Sequence, residues 1–474
     1  MTPTQARVLD RTFTSPAAGE PGAAPGPGDG PRWGMGQLPG RHLAAAALAV
    51  IRREWLAVLF GLSALFAAIT ALITAQPPER LWGELAAVTY TVAAVVALLA
   101  RRRGATVAVL LSLAGALFAP LAWMAVTGMA QPEVQVIIRS AEMLVHTGTP
   151  YASKAALAAA HTWMAYDPYL PALVVFGVPR ILGGGLLTDP RIWFGIAFMI
   201  TFAAALRIAG VRRATWWTVL VTASPVVALP VAVGGDDLPV LGLVCLGLAL
   251  ADRVAPGRWR WAAAAGMALG LAAAMKATAW PALAVALILI VHRGGWRAVG
   301  GFTLAVAGLI LATDGPVVAV NPAATVVNTI MYPLGLTKVV SPAASQLPGH
   351  LLASAGSWGH TAALVLMALA GAGVAASLII RPPKDAQAAG WRLVLGLTLL
   401  FGLAPASRVG YFVYPAGLAA WLLLLRTVKA KPADGPAGPP QKRSVNPVPA
   451  FGRQAVAGIH DRLKLAAARL DHGS

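Results

Sequence analysis

Long apolar runs, separated by short polar or glycine- and proline-rich breaks, make up most of this chain. They lie at 55–76, 84–100, 104–127, 191–208, 214–233, 238–252, 261–275, 278–292, 297–318, 359–380, 392–405 and 409–426. Crossing the ~30 Å hydrocarbon core takes roughly 20 helical residues, and fewer where neighbouring helices bury the ends. The pattern predicts an all-α polytopic membrane protein of about twelve transmembrane helices. A further apolar stretch, 170–187, is interrupted by Pro171, Pro179, Arg180 and Gly183–Gly185; it reads as a broken or re-entrant segment. Two connections are long, 129–169 and 319–358, and both fall on the same side.

One polar island breaks the pattern. In "QPEVQVIIRSAEMLVHTGTPY" (131–151) the apolar residues Val134, Ile137, Ile138, Ala141, Leu144 and Val145 recur at helical spacing, with Pro132 near the first turn. This predicts an amphipathic helix, too polar to cross and suited to the membrane surface. Glu133 falls in its first turn and borders the apolar stripe, while Arg139 points away from it. The helix dipole favours a carboxylate there, so Glu133 reads either as a helix-terminal charge or as a proton acceptor at the water–lipid boundary.

Composition agrees with a lipid solvent. Of 474 residues, 58% are hydrophobic and 12% charged, and the mean hydropathy is +0.70. Soluble domains carry about 25% charged residues. The net charge of +19 does not imply nucleic acid, because the basic residues sit at alternate helix junctions. These are Arg101–Arg103, Arg207 with Arg212 and Arg213, Arg253 to Arg260, Arg293 with Arg297, and Arg381 to Arg392. By the positive-inside rule these junctions and both termini are expected on the cytoplasmic side, and the membrane is expected to be the plasma membrane. The opposite loops hold Glu79, Glu133, Glu142, Asp167, Asp236, Asp237 and Asp314. Cys245 is the only cysteine, so no intrachain disulfide forms.

Residues 1–50 read as a Pro- and Gly-rich cytoplasmic tail ahead of an uncleaved signal anchor, 51–427 as the membrane domain and 428–474 as a basic tail. Within that last tail, 451–470 has the spacing of an amphipathic helix for an anionic leaflet, or of a solubilising tail. There is no P-loop, dinucleotide glycine motif or His/Cys/carboxylate cluster at metal-ligand spacing, which argues against ATP or NAD chemistry.

In order along the chain, "PEVQVIIRSAEMLVHTGTPY", "YDPYLP" (166–171), "SPVVALPVAVGGDDLPVLGL" (224–243), "GMALGLAAAMKATAWP" (266–281) and "PASRVGYFVYPAGLAAW" (405–421) resemble the outward-facing pieces of GT-C glycosyltransferases. More narrowly, they resemble the family-87 polyprenyl-phosphate-mannose-dependent mannosyltransferases of actinobacteria. The likeness spans about 129–425. It departs in placing Glu133 where that family has aspartate, and "GGDDLP" where it has an amide-bearing turn.

The resemblance implies a lipid-phosphate sugar donor, a glycolipid or polysaccharide acceptor, and inverting transfer on the outer face. Glu133 is then the candidate base, with Asp167 as alternative; Asp167 also suits a turn before Pro168. Lys276 and Arg408 are candidates for the donor phosphate, with His350 and His360 behind them, although a lysine there also snorkels. Asp236 and Asp237 would bind sugar hydroxyls or a divalent cation, or cap the following helix. Tyr151, Tyr166, Tyr169, Trp163 and Tyr411 offer sugar-facing or membrane-anchoring rings. A carrier of lipid-linked sugars and a non-catalytic scaffold are the competing classes; the former is expected to show repeated halves and charges at the midplane.

Overall fold

The computed structural model describes residues 54–99 and 101–429. The expected N-terminal tail and the basic C-terminal segment lie outside the described residues. Among these the chain is helical, with one isolated bridge between Ala344 and Ser407. The long helices are α1 (Trp55–Ile73), α2 (Pro77–Leu99) and α3, which runs from Arg101–Ser112 through a π-helical turn, Leu113–Phe118, to Ala119–Val126. After the polar helix α4 (Pro132–Thr147) come α5 (Pro190–Ile208), α6 (Ala214–Thr222) and α7 (Pro225–Val233). Then follow α8 (Leu238–Ala251), α9 (Trp259–Met275), α10 (Trp280–Thr313), α11 (Ser357–Ile380), α12 (Ala386–Leu403) and α13 (Val413–Lys429).

These helices suit lipid. Leu62, Leu65, Phe66, Ile69 and Leu72 stand exposed along α1, and Leu364, Val365, Leu366 and Leu369 along α11. So much exposed aliphatic surface is tolerable only where hydrocarbon covers it. Hydroxyls inside the helices turn back on their own backbone: Ser63 donates to Leu59 O (2.8 Å) and Thr70 to Phe66 O (2.9 Å), so these two do not present an unpaired donor to lipid.

Among the described residues eight helices are long and apolar enough to cross a membrane, or nine if the α6–α7 pair, bent by 60°, is one span. That count takes 277–313 as a single helix. Gly295, at φ 67° and ψ −170°, breaks it. α9 runs parallel to the second half, where Gly266 abuts Phe302 and Gly270 abuts Val306. At the other break, the Trp280 indole donates back to Ala273 O (3.2 Å). The two halves of α10 are therefore a hairpin. The core is α8, in which every residue except Leu246 is buried.

The connections gather at two ends of the bundle. At one, Arg253 donates to Ile208 O, Arg293 to Asp252 O and Lys384 O, and Arg392 to Arg381 O. The other, acidic end carries Glu79, Glu133, Asp167, Asp236 and Asp237. Here the two long loops meet: the Asp167 N–H donates to Asn328 Oδ1 (3.0 Å), and Tyr166 stacks on Tyr332 with centroids 4.3 Å apart.

Candidate functional site

α4 forms over the stretch that its spacing predicts, opened by Pro132 and stopped by Gly148 at φ 75°. Its apolar face meets protein rather than lipid, which corrects the surface-lying expectation. Ile137 and Ala141 back onto Gly177, where an added Cβ would lie 2.5 Å from Ile137 O. Val134 leans on Gly234, which sits at φ 114° with room for no side chain. Docking on these two glycines fixes the start of α4 against the α7–α8 turn, and the Gln131 N–H completes it by donating to Val233 O (2.7 Å).

That packing sets Glu133 facing Arg408, 275 residues later, and Arg408 Nη1 donates to Glu133 Oε1. The side chains are 13% and 26% exposed, so the pair lies at the rim. The other oxygen, Glu133 Oε2, is buried without a hydrogen-bond partner among the described residues. Glu133 stands in the first turn of α4, where the helix dipole also favours its carboxylate.

A deeper ion group lies at the N-terminal end of α8. Lys276, just past the end of α9, places Nζ 2.6 Å from Asp236 Oδ1 and 2.5 Å from Asp237 Oδ1. The side chains of Lys276 and Asp236 are 8% and 3% exposed. Tyr414 donates to Asp237 Oδ1 (2.9 Å) and accepts from Thr278 Oγ1 (2.9 Å), and the ammonium lies 4.8 Å from the Tyr169 ring centroid. Asp237 makes no side-chain capping bond, so its carboxylate serves the ammonium rather than the helix end. Asp236 Oδ2 is the second carboxylate oxygen buried without a partner. Burial pushes the Asp236 carboxyl up from the usual carboxylate range, against the pull of Lys276.

The two ion groups are one electrostatic unit. Tyr169 feels Glu133, Asp236 and Asp237, and Tyr411 feels Lys276 and Arg408 together with Glu133 and Asp237. Three carboxylates thus face two cations, and both cations are engaged.

The remaining candidates fall elsewhere. Asp167 is 2% exposed and has a partner on each oxygen: Oδ2 accepts from Ser140 Oγ (2.6 Å) and Oδ1 from the Tyr169 N–H (2.9 Å). Burial holds its carboxyl up at about 6. It ties the first loop together, as does Arg139, which donates to Met164 O. His350 Nδ1 lies 2.9 Å from Pro405 O and braces the turn before Arg408, whereas His360 is exposed at the start of α11. Tyr151 is buried and donates to Tyr169 O (2.8 Å), and Tyr166 is covered by Tyr332. Trp163 packs in that same cluster. Among the described residues no group of three or more His, Cys, Asp or Glu is gathered as a metal site; Asp236 and Asp237 converge on an ammonium instead. Sequence reasoning passed over Tyr414 and Thr278. Tyr414 stands in the quoted "GYFVYP" motif, and its phenol in the first turn of the last helix is the available signal.

Comparison with known proteins gives no match: no family model, no curated protein and no solved structure resembles this chain significantly.

Proposed function

We propose that this protein is a membrane glycosyltransferase of the inverting GT-C type. It moves a hexose, mannose by the resemblance, from a polyprenyl-phosphate donor to a glycolipid or glycan acceptor at the outer face. In this reading α6–α7, α8, α9 and each half of α10 are crossings, which makes twelve with the other seven long helices. The arginine-rich end is then cytoplasmic.

The observation that carries the proposal is the meeting of Glu133 with Arg408 beside the Lys276–Asp236–Asp237 group, at the acidic end of a lipid-embedded bundle. Glu133 takes the proton of the acceptor hydroxyl as its oxygen attacks the anomeric carbon. The bond from that carbon to the phosphate oxygen breaks, and the lipid phosphate leaves with the electron pair toward Arg408. Asp236 Oδ2 accepts from a sugar hydroxyl. An apolar groove of about 430 Å³, lined by Leu117, Leu121, Ile192, Met199 and Val231, suits the hydrocarbon chain of a lipid.

A carrier of lipid-linked sugars is the second reading, favoured by the bent α6–α7 pair and by an aspartate–lysine group buried at a helix break. The deciding experiment supplies labelled polyprenyl-phosphate mannose and a membrane glycolipid fraction to the purified protein in sealed vesicles. A transferase releases free polyprenyl phosphate as labelled glycan appears, and Glu133→Gln abolishes this. Label that crosses the vesicle wall with no new glycosidic bond identifies a carrier, and turnover that survives in E133Q removes Glu133 from the base role.

A further inference from the structure

We infer that the Glu133–Arg408 pair is a resting lock: the anionic phosphate of the lipid substrate displaces Glu133 from Arg408, and that exchange frees the carboxylate to act as base. This rests on the transferase reading.

Three observations point to it. First, one ion pair ties the two roles together. Glu133 Oε1 accepts from Arg408 Nη1, so the positive charge that a phosphate needs and the negative charge that makes Glu133 a base are compensated by each other. Second, Arg408 is the more available of the two cations. It is 26% exposed at the rim, whereas Lys276 is 8% exposed between two aspartates. An anion arriving from outside meets Arg408 first, and its bidentate fork suits phosphate.

Third, the backbone that carries Arg408 is braced. The Val409 N–H donates to Ser345 Oγ (3.1 Å), the Ser345 N–H to Ser407 O (3.0 Å), and His350 Nδ1 lies against Pro405 O. Gly349 backs directly onto the Leu403 and Ala404 carbonyls. With the turn held from the second long loop, the exchange is a side-chain event: the guanidinium keeps its place and changes its partner. Glu133, with Oε2 already unpartnered, then presents two free oxygens. The lock makes binding ordered, with donor before acceptor, and it keeps the base silent until a leaving group is in place.

The test measures binding of farnesyl phosphate to the full chain in nanodiscs of phosphatidylcholine. Glu133→Gln removes the charge that holds Arg408 and is expected to bind about tenfold more tightly than the unmodified protein, the scale of the charge-assisted part of that bond. Arg408→Gln is expected to lose binding. Glu79→Gln removes a carboxylate from the same end, where Glu79 accepts from Gln131 and Thr74; it is expected to shift affinity by less than about twofold, a long-range effect only. Glu133→Ala serves as a second release variant should E133Q fail to fold. Equal affinity of E133Q, E133A and the unmodified protein, with R408Q still losing binding, overturns the lock and leaves the phosphate site standing. No binding by any form overturns the lock and the lipid-phosphate reading together.

Discussion

The two ends of the bundle use arginine in different ways. At the arginine-rich end guanidinium donors meet backbone carbonyls at helix ends: Arg253 at the close of α5, Arg293 just after α8 and Arg392 just after α11. The last carbonyls of a helix have no partner within it, and a cation there also suits the dipole. Each such arginine is a staple. At the acidic end Arg408 and Lys276 meet carboxylates, and two carboxylate oxygens, Glu133 Oε2 and Asp236 Oδ2, are left unpaired. Arg191 shows that the acidic end can also staple. It is 2% exposed, pairs with Asp189 (2.7 Å) and donates to Met129 O and Ala232 O (3.0 Å each). A staple leaves little capacity unspent, whereas a site keeps some in reserve. The reserve sits on Glu133 and Asp236.

The hardest blow to this comparison is Lys276→Met. It leaves Asp236 and Asp237 facing each other under protein cover, and removing one partner of a buried pair costs about 3–5 kcal/mol. The thermal unfolding midpoint in detergent should fall sharply, with partial recovery in a Lys276→Met, Asp236→Asn double variant. A midpoint equal to that of the unmodified protein would mean that water already screens this group, and the contrast between the two ends would dissolve.

Arg293→Gln strikes the other end. Arg293 is 30% exposed, donates to three carbonyls, of Asp252, Val254 and Lys384, and lies 3.4 Å from the half-exposed Asp252 carboxylate, which is itself held by the Ala386 N–H. Partly exposed bonds of this kind should cost about 1–2 kcal/mol in stability. Farnesyl phosphate affinity should not move. A change in ligand affinity without a loss of midpoint would deny that this end is only a staple.

How far the chain itself discloses this contrast depends on the kind of information. Periodicity carries the helices: α4 begins at Pro132 as its spacing predicts, and the "RGGWR" break at 293–297 divides α10. Spacing also identifies which face of α4 is apolar. It does not say what covers that face, so a helix read as lying on lipid docks instead on Gly177 and Gly234. Charge position places Glu133, Asp236, Asp237, Lys276 and Arg408 toward one end of the bundle. Pairing is a property of three-dimensional approach, and no local signal joins residues 275 apart. Lys276 illustrates the loss: read alone it is a spare cation for phosphate, while in the fold it is already held by Asp236 and Asp237. The loop aromatics mislead for the same reason, since Tyr151 and Tyr166 look like rim rings and are buried by Tyr169, Tyr332 and their neighbours.

The finest test separates a structural carboxylate from a reserved one within the acidic end. Asp167 is buried with both oxygens satisfied, and burial raises it to about 6. In the unfolded chain it titrates near 4. Between about pH 4 and 6 the folded protein therefore holds this proton more tightly than the unfolded chain does, and the stability it contributes falls as pH rises through that window. The substitution Asp167→Asn would keep an oxygen for the Tyr169 N–H and turn an amide N–H toward Ser140 Oγ, without titrating. The unmodified protein should thus lose thermal stability relative to D167N as pH goes from 4 to 7. The difference should be at most about 3 kcal/mol, the worth of roughly two pK units. Transfer at neutral pH should persist in D167N, because Asp167 is buried and both its oxygens are hydrogen-bonded within the fold. Were D167N to fold with an unchanged midpoint across that range and yet lose turnover, the proton would belong to Asp167, and the unpaired oxygen of Glu133 would not mark the base.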